Sequence, residues 1–307
     1  MQTTLTTEAI QQGFEQHSYI CDEAIALAVF LAQQLEKPIL VEGPPGVGKT
    51  ELAKTTADLF SLPLIRLQCY EGLDEAKALY EWKYSKQLLY TQILKDKLGD
   101  LLKGTHDLAE SVSRLHEFGD IFYSEDFIEP RPLLKALNET HGTVLLIDEI
   151  DKADHEFESF LLEMLSDYQI SVPELGTIKA KKRPMVFLTS NNTRELSDAL
   201  KRRCLHLYIP FPDIKLEQKI IQKRVPNVSD NLRQQLVSFV HQLRELDLKK
   251  QPAISETIDW ARALVLLHAE ALNKDLVSST LNVLLKHEDD INQAKTEMNR
   301  LLNPKGR

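Results

Sequence analysis

Gly43-Pro44-Pro45-Gly46-Val47-Gly48-Lys49-Thr50 follows directly on the short apolar run Pro38-Ile39-Leu40-Val41-Glu42, and the reading of this stretch decides the fold. Its spacing is GxxxxGK[ST]. Glycines there let backbone N–H groups turn inward around phosphate oxygens, and the helix that follows presents its positive end to the same anion. The run before it reads as a buried strand, and the stretch from Lys49 to about Phe60 as a helix. A glycine turn in that setting is a phosphate cradle rather than an ordinary turn. Lys49 would neutralise β- and γ-phosphates and the Thr50 hydroxyl would ligate Mg2+, so ATP and Mg2+ are the expected cofactors. The set expected to contact nucleotide is Gly43, Pro44, Pro45, Gly46, Val47, Gly48, Lys49, Thr50 and Glu51.

Further along, Val144-Leu145-Leu146-Ile147 is a second buried strand, and it ends in Asp148-Glu149. Ligands bind at the carboxyl ends of strands in open α/β sheets, which is where this pair of acids would sit. Asp148 is expected to hold Mg2+ through its water shell, and Glu149 to act as the general base on the attacking water. Other strands are expected at 65–67, 185–189 and 206–209, with helices at 8–36, 131–140 and 155–167. Strands alternating with helices predict an α/β sandwich around a parallel five-stranded sheet.

Leu188-Thr189-Ser190-Asn191-Asn192 closes the fourth strand. A polar amide at that tip can orient a water beside the γ-phosphate; Asn191 is the candidate, with Asn192 next, although Asn pairs also make ordinary turns. Ala199-Leu200-Lys201-Arg202-Arg203-Cys204 leads into the fifth strand. An arginine there can reach a neighbouring subunit's nucleotide, and Arg203 is chosen over Arg202; surface arginines at a helix end fit the same residues. Beyond Pro210–Pro212 the strand signals stop and the pattern is helical, which places a boundary near residue 212. The divisions expected are 1–212, a nucleotide-binding domain with an insertion at about 70–128, and 213–307, a helical lid. In the lid Arg262 stands in an apolar stretch and is expected to reach the phosphates; a surface position is the alternative.

The 307 residues carry a net charge of −9, with 43% hydrophobic and 27% charged side chains. That acidic average gives no global footprint for nucleic acid, although Lys179-Ala180-Lys181-Lys182-Arg183 in a hairpin candidate at 168–184 is locally basic. No apolar run suggests a membrane span, Met1 to Glu8 lacks the regions of a signal peptide, and a cytoplasmic protein is expected. Cys21, Cys69 and Cys204 lack metal-ligand or CxxC spacing and read as reduced thiols. Tyr80, Trp82 and Tyr84 alternate as on one face of a strand, to pack on the molecule or to touch a client.

Taken in order, these elements resemble the AAA+ superfamily over essentially the whole chain. Three stretches look like the MoxR family in particular: Leu79-Tyr80-Glu81-Trp82-Lys83-Tyr84-Ser85-Lys86-Gln87-Leu88-Leu89, Arg131-Pro132-Leu133-Leu134, and Glu256-Thr257-Ile258-Asp259-Trp260-Ala261-Arg262. Within that family they suggest the subgroup associated with carbon monoxide dehydrogenase maturation. The resemblance implies a homo-oligomeric ring, a hexamer, that couples ATP hydrolysis to remodelling or maturing a client protein. It also implies a partner with a von Willebrand factor A domain. Cys204 stands where many members carry an aromatic residue, which leaves open which arginine is the finger. Two other functions fit the fold: a nucleic-acid motor or loader, supported by the basic run, and a small-molecule kinase, opposed by Glu149 and the arginine pair.

Overall fold

The structure, a computed structural model, describes residues 6–101, 125–172 and 176–302, with side chains described for all of these but 94–101 and 125. Two helices open it, α1 (Thr7–Gln16) and α2 (Glu23–Leu35), where one helix was expected over 8–36. The break has local causes. Ser18 turns into the left-handed region with φ 62°, Tyr19 N–H returns to the Phe14 carbonyl at 2.9 Å, and Asp22 caps α2 by accepting from Ile25 N–H at 2.9 Å. Strand β1 (Ile39–Glu42) leads through the glycine loop into α3 (Lys49–Phe60), as the spacing predicts. Strands β2 (Leu64–Gln68), β5 (Val144–Asp148), β8 (Met185–Ser190) and β9 (Leu205–Tyr208) complete the main sheet.

That sheet runs β2-β5-β8-β1-β9, every neighbour parallel. Its central strands are buried on both faces, and the pleat divides their side chains. Leu40, Leu145, Ile147, Val186 and Leu188 pack on one side, with α4 (Glu75–Leu79), α6 (Pro132–Asn138) and α7 (His155–Asp167). Ile39, Val41, Val144, Leu146 and Phe187 pack on the other, with α1, α2 and α3. The result is a three-layer α/β sandwich. Its register sets Gln68 beside Asp148, and Glu42 beside both Ser190 and Tyr208. The glycine loop, Asp148-Glu149 and Asn191 therefore leave the sheet at one edge.

Within the insertion, β3 (Tyr80–Trp82) pairs antiparallel with β4 (Ile128–Pro130). Tyr80 and Trp82 do share a face, with rings 5.7 Å apart in an edge-on arrangement, and both pack against the core. Tyr84 departs from the expected alternation: it opens helix α5 (Tyr84–Leu101) and stands exposed. Residues 102–124 of the insertion lie outside the described residues. The hairpin is β6 (Gln169–Val172) with β7 (Gly176–Lys179). Lys182 then donates to the His141 carbonyl at 2.8 Å and Arg183 to Glu36 at 2.5 Å, so two of the run's four basic side chains hold the loop onto the molecule. All three cysteines are free, and burial pushes each thiol up to about 12.

From α9 (Ile214–Arg224) onward every described element is a helix: α10 (Asp230–Arg244), α11 (Ile254–Leu266), α12 (Lys274–Leu284), α13 (Glu288–Thr296) and α14 (Met298–Leu302). They share one core around fully buried Trp260, whose indole N–H finds the Thr280 hydroxyl at 2.9 Å. Among the described residues no helix is long and apolar enough to cross a membrane.

Candidate nucleotide site

Two glycines of the loop have no substitute. Gly43 has φ 151°, and a Cβ there would lie 2.1 Å from the Ile209 carbonyl oxygen. Gly46 has φ 74°, and its Cβ would lie 2.4 Å from that of Ala253 at the start of α11. The loop is thus pressed between the end of β9 and the helical region. Lys49 is buried and its ammonium donates to the Gly43 and Pro44 carbonyls at 2.6 and 2.7 Å. Burial lowers its pKa to about 8, against the opposing pull of Asp151, Asp148 and Glu149.

The metal-holding candidates meet. Thr50 Oγ1 donates to Asp148 Oδ1 at 3.0 Å, which joins the first turn of α3 to the end of β5. Thr189 Oγ1 donates to the same oxygen at 2.5 Å. On Oδ2 sits the Arg66 guanidinium, with Nε at 3.0 Å and Nη2 at 2.6 Å. A hydroxyl and a carboxylate side by side are the hard oxygen donors that suit Mg2+. The fit is therefore good, with Thr50 and Asp148 as the residues that would hold it.

Glu149 and Asn191 also come together. Asn191 Nδ2 donates to Glu149 Oε1 at 3.3 Å, while Gln68 and Lys152 donate to Oε2 at 2.8 and 2.6 Å. Glu149 itself is left-handed, φ 57°, held by its N–H on the Thr189 hydroxyl at 2.9 Å. An acid kept in a strained backbone conformation by its surroundings fits a working residue. Asn192, the second choice, is exposed, and its backbone N–H donates to Ser190 Oγ at 2.9 Å.

Arg202 and Arg203 close helix α8 (Asp198–Arg203). Because Leu205 pairs with Ile39, they lie at the opposite end of β9 from the loop that follows Glu42. They do not reach the phosphate cradle of their own chain. Both are exposed, and Arg203 rests on Ser166 Oγ at 2.7 Å.

Arg262 takes the surface position that its sequence also allows. It stands in the third turn of α11, more than half exposed, bonded to Asp259 at 3.2 Å. Only the first turns of α11 approach the loop, through Ile254, Ser255 and Ile258. Those residues help to line a cleft of about 210 Å³ with Ser18–Ile20, Gly46–Gly48, Glu51, Ile209, Pro210 and Arg224. The cation that does reach the loop from the helical region is Arg224, which donates to Glu51 at 2.7 Å. Burial pushes Glu51 upward, but Arg224 and Lys54 outweigh it and leave its pKa lowered.

Sequence reading passed over Arg66, Gln68, Asp151, Thr189 and Arg224. Asp151 is buried, and its Oδ2 accepts from the N–H groups of Asn191 and Thr193 and from the Thr193 hydroxyl. It fixes the loop that carries Asn191. Its place three residues after Asp148 was a usable signal. Arg224, at the end of an amphipathic helix, offered none.

Residues 38–204 match the sequence profile of the AAA domain, dynein-related subfamily. An uncharacterized protein of Staphylococcus epidermidis is 29% identical over 239 residues, covering 76% of this chain and 77% of its own length. One from Staphylococcus aureus is 28% identical over 238 residues, 75% of this chain and 76% of its own. Among solved structures, the Thermotoga maritima RuvB Holliday junction branch migration motor aligns at 17% identity and a TM-score of 0.45, covering 89% of this chain and 69% of that one. With more than half of the chain matched by that profile, the protein belongs to the AAA domain family, dynein-related subfamily.

Proposed function

We propose that this chain is a Mg2+-dependent ATPase of the MoxR type that works as a homo-oligomeric ring, a hexamer, to remodel or mature a client protein. The observation that carries the reading is the contact of Thr50 with Asp148 at 3.0 Å, beside Lys49 and the Glu149–Asn191 pair. Residues 1–212 act as the nucleotide-binding domain, with 70–128 as its insertion, and 213–307 as the lid.

Lys49 and the backbone N–H groups of Gly46 to Thr50 bind the phosphates and align the γ-phosphoryl group. Thr50 and Asp148 would hold Mg2+, which would supply positive charge to offset that building on the phosphate oxygens. Glu149 takes the proton of the attacking water, and Asn191 orients that water or reports the γ-phosphate. For the base to act, its hydrogen bonds from Gln68 and Lys152 must loosen. Arg203, or Arg202 in its place, acts on the neighbouring subunit's nucleotide, which suits its distance from its own loop. A client and a partner with a von Willebrand factor A domain complete the cytoplasmic machine.

The test is ATPase rate per subunit against protein concentration, with and without Mg2+, with mass measured in parallel. A specific activity that climbs as rings assemble supports the reading; a flat rate from a monomer removes the ring and the finger. The second reading, a nucleic-acid motor or loader, draws on the basic run at 179–183. Turnover stimulated by nucleic acid and collapsing with added salt would favour it.

A further inference from the structure

Arg66 and Gln68 stand two apart on edge strand β2, so their side chains share a face beside the end of β5. The Arg66 guanidinium reaches up that edge and places two N–H groups on Asp148 Oδ2, at 3.0 and 2.6 Å. Thr50 and Thr189 occupy Oδ1. A carboxylate has about four acceptor sites, and here all four are in use, two of them by a cation. Any divalent ion drawn to Asp148, directly or through its water shell, meets both a filled oxygen and a like charge.

We propose that Arg66 is a positioning residue that competes with the divalent cation for Asp148, so that metal arrival and departure of Arg66 are one event. The inference rests on the reading of Asp148 as a metal-holding residue. The Asp148 carboxylate is almost wholly buried, while the Arg66 side chain is 48% exposed. The arginine can therefore swing into solvent without disturbing the core, and the aspartate cannot. Its departure also reaches Glu149. Arg66 Nη2 bonds the Gln68 side-chain oxygen, and Gln68 Nε2 holds Glu149 at 2.8 Å. With Arg66 gone, Gln68 loses the partner that orients it and Glu149 loses one of its restraints. The hold on the base is thereby loosened when the metal is in place, with Lys152 still bonded to it at 2.6 Å.

The experiment measures how strongly Mg2+ tightens binding of a fluorescent, non-hydrolysable ATP analogue, as the ratio of Kd in EDTA to Kd in Mg2+. Arg66→Met and Arg66→Gln keep a side chain of useful length on an exposed edge position. Both are expected to raise that ratio about fivefold, chiefly through the Kd in Mg2+. A ratio unchanged or lowered in both overturns the inference, because an arginine that merely steadied Asp148 would weaken metal binding when removed. Asp148→Asn is measured alongside. Collapse of its ratio towards one keeps the underlying reading whatever Arg66 does, whereas a ratio like the wild type's takes that reading down, and the Arg66 inference with it.

Discussion

A lysine held at a pKa of about 8 is half neutral only one unit above neutral pH. ATP binding needs its charge, so affinity should fall by about tenfold between pH 7 and pH 9. Lys49→Arg stays charged and should flatten that profile, even if it binds less well throughout; equal slopes in both proteins would detach the effect from Lys49. The sign for stability is opposite. Between about 8 and the ordinary value of 10.5 the unfolded lysine keeps a proton that the folded one has released, so folding becomes more favourable as pH rises there. At Glu149, substitution by Gln keeps the amide contacts and removes the base. Nucleotide binding should survive while kcat drops by roughly 10²–10⁴, and single-turnover rates near wild type would clear Glu149 of the role. These two residues, with Thr50, Asp148 and Asn191, could be found from sequence because each ends or follows a strand whose apolar run is unmistakable. Arg66 and Gln68 could not, because an edge strand leaves long polar side chains free to point anywhere.

At the scale of elements, the five strands of the main sheet were readable to within a residue or two at each end, since burial of the central ones on both faces demands runs of Val, Ile and Leu. The first helix was not. Its apolar positions keep helical phase across His17–Asp22, and only the backbone turn at Ser18 and the cap at Asp22 divide it. The cleft beside the glycine loop needs that division, because Ser18, Tyr19 and Ile20 line it. For Arg262 the limit is related: helical periodicity gives the face of α11, but not which of its turns meets the loop. A second hidden device is the buried ion cluster of the helical region. Glu217 on α9 accepts both ends of the Arg244 guanidinium, at 2.7 and 2.9 Å, with His241 at 2.8 Å. Arg244 also donates to the Pro252 carbonyl, just before α11. Burial alone would raise Glu217; His241 and Arg244 outweigh it and hold its pKa low, so its support for the fold stands at neutral pH and fades in acid. Glu217→Ala strands the Arg244 charge and should cost about 3–5 kcal/mol. Urea unfolding followed by fluorescence of Trp260 in the same core measures it, and a loss under 1 kcal/mol would show the cluster to be dispensable.

For the whole molecule, the arginines at the far end of β9 predict a division of labour between subunits. Arg203→Ala should bind ATP like the wild type, assemble like it, and lose the rise of specific activity with concentration, a fall of about 10³ or more. Mixing it with Glu149→Gln, whose arginine is intact, should restore part of the turnover; no recovery would argue that Arg203 acts only within its own chain. If Arg202→Ala alone shows these effects, the finger is the neighbouring residue. The cleft has a consequence of a different kind. Its walls come from residues 18–20, 46–48, 209–212 and 254–258, so whatever fills it ties together parts of the chain more than 200 positions apart. A ligand at a thousandfold excess over its Kd adds about 4 kcal/mol to the folded state. Cleavage by a protease that samples opened chains should then slow as nucleotide concentration rises, making the lifetime of the protein a gauge of the nucleotide supply around it.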